Sequence, residues 1–222
     1  EVEFTGQIYE PPLQYHFLKR PYELIPLTAE AVPRPRYVDT AGKPLPNDAP
    51  PAAIAESVYE IKIRPGIRYQ PHPAFARDAK GRHRYHAMTD ADVAGKTQIA
   101  DFTHNGTREL IAADYVYQIK RLANPKLSSP IFGLMAEHIV GLKALGEALE
   151  KAAKADPDAA LNLDDFPLAG AEVVDRYTYR IRIQGKYPQF IYWLAMPFFA
   201  PIPWEAEVFF AQPGMADKNI TL

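Results

Sequence analysis

The sequence predicts an α+β fold, a mostly antiparallel sheet with packed helices, on three observations. VYEIKIRPGIRYQ (58–70) alternates Val58, Glu60 and Lys62 against Tyr59, Ile61 and Ile63, then breaks at Arg64-Pro65-Gly66. That is a strand running into a turn and a second strand. AEVVDRYTYRIRIQG (171–185) reads as two strands joined at Asp175-Arg176, with Tyr177, Tyr179, Ile181 and Ile183 facing one way and Thr178, Arg180 and Arg182 the other. Between them, RELIAADYVYQIKRLANP (108–125) repeats Ile111, Tyr115, Ile119 and Leu122 at helical spacing, which places one apolar stripe on a helix. Strands and helices come in blocks, not in alternation, and this separates α+β from a parallel α/β sheet.

Taken in order, ELIPLTAEAV (23–32) predicts a short strand or a turn of helix. The proline-rich stretch from Pro33, with Gly42, Asn47 and Asp48, predicts a long irregular excursion over 33–56. A second polar excursion is expected over 71–106. Helices are predicted at Ile111–Ala123, with Asp114, Gln118 and Arg121 on the outer side, at Pro130–Val140 and at Leu142–Lys154. Asn124-Pro125 stops the first; Ser128-Ser129-Pro130 reads as the N-cap of the second; LKALGEALEKAAKA is rich in strong helix formers. An aromatic-rich helix is expected at about Pro188–Ala195.

Composition narrows the function. The 222 residues are 47% hydrophobic and 12% aromatic, enough for a substantial core. A formal net charge of -2 gives no basic footprint for nucleic acid. No apolar run reaches the length of a membrane span. The absence of cysteine excludes disulfides, thiol catalysis and thiolate metal sites. The chain begins at Glu1, not Met, and is expected to be a piece of a longer protein.

Few residues suggest chemistry. His72, His83, His86 and His104 occupy the second excursion with Asp78, Asp90 and Asp92. His83 and His86 have a metal-ligand spacing if helical, but Pro73 and Gly81 argue for loop, so solvated histidines and no metal are expected. Asp164-Asp165 reads as a turn, and neither a Gly-x-Ser-x-Gly elbow nor a phosphate-cradling loop is present. No catalytic residue and no cofactor is therefore expected. Phe190, Tyr192, Trp193, Phe198, Phe199 and Trp204 read chiefly as core, with a ligand cleft or a surface covered by a further domain as alternatives.

Four blocks in order carry a resemblance: IYEPPLQYHF with PYELIPLTAEAV; VYEIKIRPGIRYQPHPAF; RELIAADYVYQIKRLANPKLSSPIFGLMAEHIVGL; and LAGAEVVDRYTYRIRIQGKYPQFIYWLAMPFFAPIPWEA. They are similar to the extracellular solute-binding proteins of family 5, the peptide- and nickel-binding subunits of ABC importers. Two departures stand out: Ile111 where a capping Thr is usual, and Asn124 where Asp is commoner. The resemblance implies a periplasmic, monomeric binding component, possessing no enzymatic activity, that takes di- or oligopeptide cargo, closes two lobes around it and delivers it to an inner-membrane permease. It also implies a division: 1–25 as an edge of domain I, 26–200 as the accessory domain, 201–222 as a return toward domain I, and the opposite lobe absent. At the cleft edge it assigns Glu1, Val2, Glu3, Ser129 and Ile131, the last unable to supply the tyrosine hydroxyl found in some relatives. Two rivals are a docking domain that binds no cargo itself and a metal-dependent enzyme built on the histidine loop.

Overall fold

The protein is described by a computed structural model, covering residues 8–157 and 161–220. In chain order the elements are β1 (Leu13–Tyr15), β2 (Leu24–Pro26), β3 (Arg36–Val38), β4 (Pro44–Leu45), β5 (Glu56–Lys62), α1 (Asp90–Val93), α2 (Ala112–Arg121), α3 (Phe132–His138), α4 (Leu142–Ala155), β6 (Ala171–Asp175), β7 (Thr178–Gln184), α5 (Phe190–Trp193) and α6 (Trp204–Phe210). They form two compact units. The first takes the described residues up to Arg64 together with Ile111–Pro201, and the second takes Pro65–Leu110 together with the chain from Ile202.

The first unit is built on an antiparallel five-stranded sheet of order β4-β3-β5-β7-β6. Its centre is the β5–β7 pair, in which Tyr59 opposes Ile181 and Ile61 opposes Tyr179. These side chains are all buried. On the other face Glu60 opposes Arg180, and the two pair at 2.6 Å. Alternation therefore sets the register, since a slip of one residue would exchange the tyrosines for charges. Val58, expected on the polar face, is buried too.

Helix α2 packs its stripe against β6 and β7. Tyr115 stacks on Tyr179 with ring centroids 4.9 Å apart, and its hydroxyl shares a 2.5 Å hydrogen bond with Thr28 Oγ1. Asp114 and Gln118, predicted to face outward, are buried. Each has a partner that explains this. Asp114 accepts the Ile111 N–H at 3.1 Å, capping the helix from within where a hydroxyl is missing, and Gln118 Nε2 donates to the Phe198 carbonyl at 2.9 Å.

Other expectations change at their edges. The stretch read as irregular contains the β3–β4 hairpin, because Asp39 accepts the Ala41 and Lys43 N–H groups at 2.9 Å and Gly42 supplies the positive φ. Proline is tolerated in β4 because that strand is at the edge. The serines do not cap α3: Ser128 is left-handed at φ 48° and Ile131 flanks the helix. The aromatic helix shrinks to the single turn α5.

The second unit holds the 71–106 excursion, which is not a solvated loop. Tyr85, Met88, Val93 and Phe102 pack with Phe209, Met215 and Ile220 into a core of their own. Phe102 meets Phe209 edge-on at 5.0 Å. Polar turns frame it: Asp78 accepts from Lys80 and Arg82, and Asp101 from Thr97 and Gln98. Gly106 pairs with His72 so closely that a Cβ there would lie 2.2 Å from the Phe75 carbonyl oxygen. Among the described residues no helix is long and apolar enough to cross a membrane.

Candidate functional site

A concavity of the first unit lies where the end of α2 meets α3 and α4. It is an open groove of about 300 Å³. Asn124, Pro125, Ser128 and Ser129 contribute one side, Phe132 and Gly146 another, and Lys143, Glu147 and Glu150 are exposed along it. Gly146 lets the Phe132 ring seat against α4: a Cβ there would lie 2.3 Å from Phe132 Cζ. Asn124 shapes the turn by accepting the Lys126 N–H at 3.1 Å. Glu150 is held by Lys154 at 2.6 Å, and this hydrogen bond keeps its carboxyl below the usual range. An apolar groove edged by carboxylates and an ammonium can hold a small apolar or amphipathic group.

Of the residues assigned from sequence, Ser129 lines this groove, while Ile131 is half-buried beside it and is not part of the lining. Glu1, Val2 and Glu3 lie outside the described residues. Asp164 and Asp165 are exposed in a 3-10 turn. In the aromatic cluster Phe190 and Phe199 are core, whereas Tyr192 and Trp204 are exposed.

The histidines gather differently from expectation. In the second unit the His83 and His86 rings lie against each other with centroids 4.1 Å apart and planes tilted by 33°, and both meet Trp204 edge-on. Among the described residues no group of three His, Cys, Asp or Glu is placed to hold a metal. In the same unit Arg108 Nε and Nη2 pair with the buried Glu205 Oε1 and Oε2 at 2.6 and 2.7 Å. Sequence reading missed this pair because its partners are far apart in the chain. PIPWEAE did carry a signal, a proline followed by acidic residues in a first helical turn.

No family model matches the sequence and no curated protein matches it. Solved structures do. The pheromone receptor PrgZ, solved for its mode of peptide binding, superposes with a TM-score of 0.52 at 15% identity over 95% of this chain. A periplasmic oligopeptide-binding protein, OppAIV from Borrelia burgdorferi, gives 0.52 at 12% identity over 96%. The fold is that of part of an oligopeptide-binding protein. At such identities the likeness is one of fold, and the chain spans 28% of the length of each of these proteins. Listeria monocytogenes OppA bound to peptide aligns over 92% of the chain with a TM-score of 0.48 at 14% identity.

Proposed function

We propose that the chain is a portion of the cargo-binding component of an ABC importer, with di- or oligopeptides as cargo. The observation that carries this reading is the fold likeness over almost the entire chain to two peptide-binding proteins. Cargo that bridges two lobes would favour the closed form, which a membrane permease then recognises. On this reading the protein is periplasmic and monomeric and does no covalent chemistry. Residues 26–200 form the accessory domain, with 1–25 and 201–222 at its junctions with domain I. Glu1, Val2, Glu3, Ser129 and Ile131 then stand at the cleft edge.

A second reading is favoured by the groove itself: this chain is a docking domain that contributes no cargo contacts of its own. The groove is open, and one carboxylate on its margin, Glu150, is already engaged by Lys154. Calorimetry with a mixture of short peptides distinguishes the two. Heat from this chain alone, reduced by Ser129→Trp in the groove, supports cargo contact here. Heat only from a protein that also carries the remaining length of its relatives supports docking. Silence from both excludes peptide cargo.

A further inference from the structure

Three imidazoles of the second unit hold one segment of backbone. His72 Nδ1 accepts the Ala74 N–H at 3.0 Å, and His86 Nε2 donates to the Ala74 carbonyl at 2.9 Å. The His83 ring lies against His86 with centroids 4.1 Å apart, its Nε2 is buried, and among the described residues that atom has no hydrogen-bond partner. His72 in turn meets Phe209 and Phe210, and His83 and His86 meet Trp204, so all three rest on α6. We propose that His72, His83 and His86 form an acid-released clasp, which holds residues 72–86 to α6 while the rings are neutral and frees them when the rings take up protons.

Two of these contacts require a neutral ring, whereas the His86 bond to Ala74 survives protonation because Nε2–H still donates. A proton on Nδ1 of His72 removes the acceptor for Ala74 N–H. A second cation in the His83–His86 pair would sit in a ring whose centroid is 4.1 Å from the first. The surrounding charges do not offset this. Arg77 and Arg108 face the pair and disfavour a proton, while Glu205 favours one but is already held in a bidentate pair by Arg108. Asp78, in the same turn, is engaged by Arg82 at 2.8 Å. Burial comes first among the causes that hold all three imidazoles below their ordinary value of 6.5. A group depressed in the folded state stabilises it fully above its unfolded value. That stabilisation is lost as pH falls from 6.5 through the depressed folded values. The clasp is thus closed near neutrality and opens on mild acidification, whatever the cargo.

The test uses the full chain with Trp193→Phe, so that Trp204 alone reports. Its emission is followed as pH falls from roughly 7.5 to about 5, alongside the imidazole NMR titrations. The expected result is a reversible change below 6.5 that follows the rings. His86→Gln, which removes the charge beside His83, should raise the His83 midpoint by at least about 0.7 pH units, the coupling of two unit charges 4 Å apart in water, and His83→Phe keeps the ring contact without titrating. His72→Asn and His86→Gln keep the two hydrogen bonds to Ala74 without titrating. The triple variant should lose the acid response. A triple variant that responds like the parent, or a Trp204 signal indifferent to the rings, overturns the clasp. Should the triple variant fail to fold, the parent's titration decides. Coupled midpoints below 6.5 support the clasp, and independent ones at 6.5 refute it.

Discussion

Replacing Glu205 with leucine tests the energetic centre of the second unit. The Glu205 carboxylate is 3% exposed and its partner Arg108 is 22% exposed. The guanidinium also lies over the rings of Tyr69 and Phe75, at 5.2 and 5.6 Å. Removing one partner of a buried pair leaves a charge without its counterion, at about 3–5 kcal/mol. Water reaches Arg108, so the lower end applies, about 3 kcal/mol. For a body of this size each kcal/mol moves the midpoint by about 4–8 °C, so Glu205→Leu should lower the melting of this unit by roughly 12–24 °C. The double variant Arg108→Met with Glu205→Leu should recover at least about half of that loss, because no charge then remains buried. The assay is thermal unfolding at pH 7.5, where the clasp is closed, read by Trp204 emission and calorimetry. A Glu205→Leu melt within about 2 °C of the parent would refute the reasoning. So would a double variant as unstable as the single one.

Three further outcomes are expected. Ile119→Asp places a carboxylate at a site 1% exposed and should abolish folding of the first unit; soluble protein with native circular dichroism would contradict the packing of α2. Gly106→Ala forces its Cβ onto the Phe75 carbonyl, where backbone must move, and should lower the midpoint of the second unit in the same melts, with no change disproving the close approach. Tyr179→Phe removes a buried hydroxyl that has no hydrogen-bond partner among the described residues, so it should leave stability unchanged or raise it by up to about 1 kcal/mol in urea unfolding; a loss above about 1 kcal/mol would reveal a partner for that oxygen.

The parts of this fold that were legible in the sequence are those whose periodicity is local. Tyr59, Ile61, Tyr179 and Ile181 alternate because each strand has one buried face, and Tyr115 and Ile119 recur because α2 lies on that face. Asp114 and Gln118 misled because their polarity is satisfied inside, by the Ile111 N–H and the Phe198 carbonyl. The β3–β4 hairpin was hidden by its prolines, although the Asp39 and Gly42 turn was there to be read. The second unit was illegible for another reason. Its core joins Tyr85 and Phe102 to Phe209 and Met215, and no window of sequence contains both halves. Of the residues assigned from the resemblance Ser129 lines the groove, and the packed histidines were read as solvated loop, since their packing depends on α6 rather than on the HRYH spacing.

That split core has a consequence for biosynthesis. Residues 65–110 emerge from the ribosome well before Phe209, Met215 and Ile220. At the elongation rates typical of cells they wait for several seconds or more with Ala74, Tyr85 and Phe102 lacking their partners. The first unit needs only β7 and the α5 region to close, so it folds during synthesis while the second completes last. A chain halted before Ile202 would therefore carry a finished sheet beside an unfinished aromatic surface, the kind of nascent species that chaperones engage.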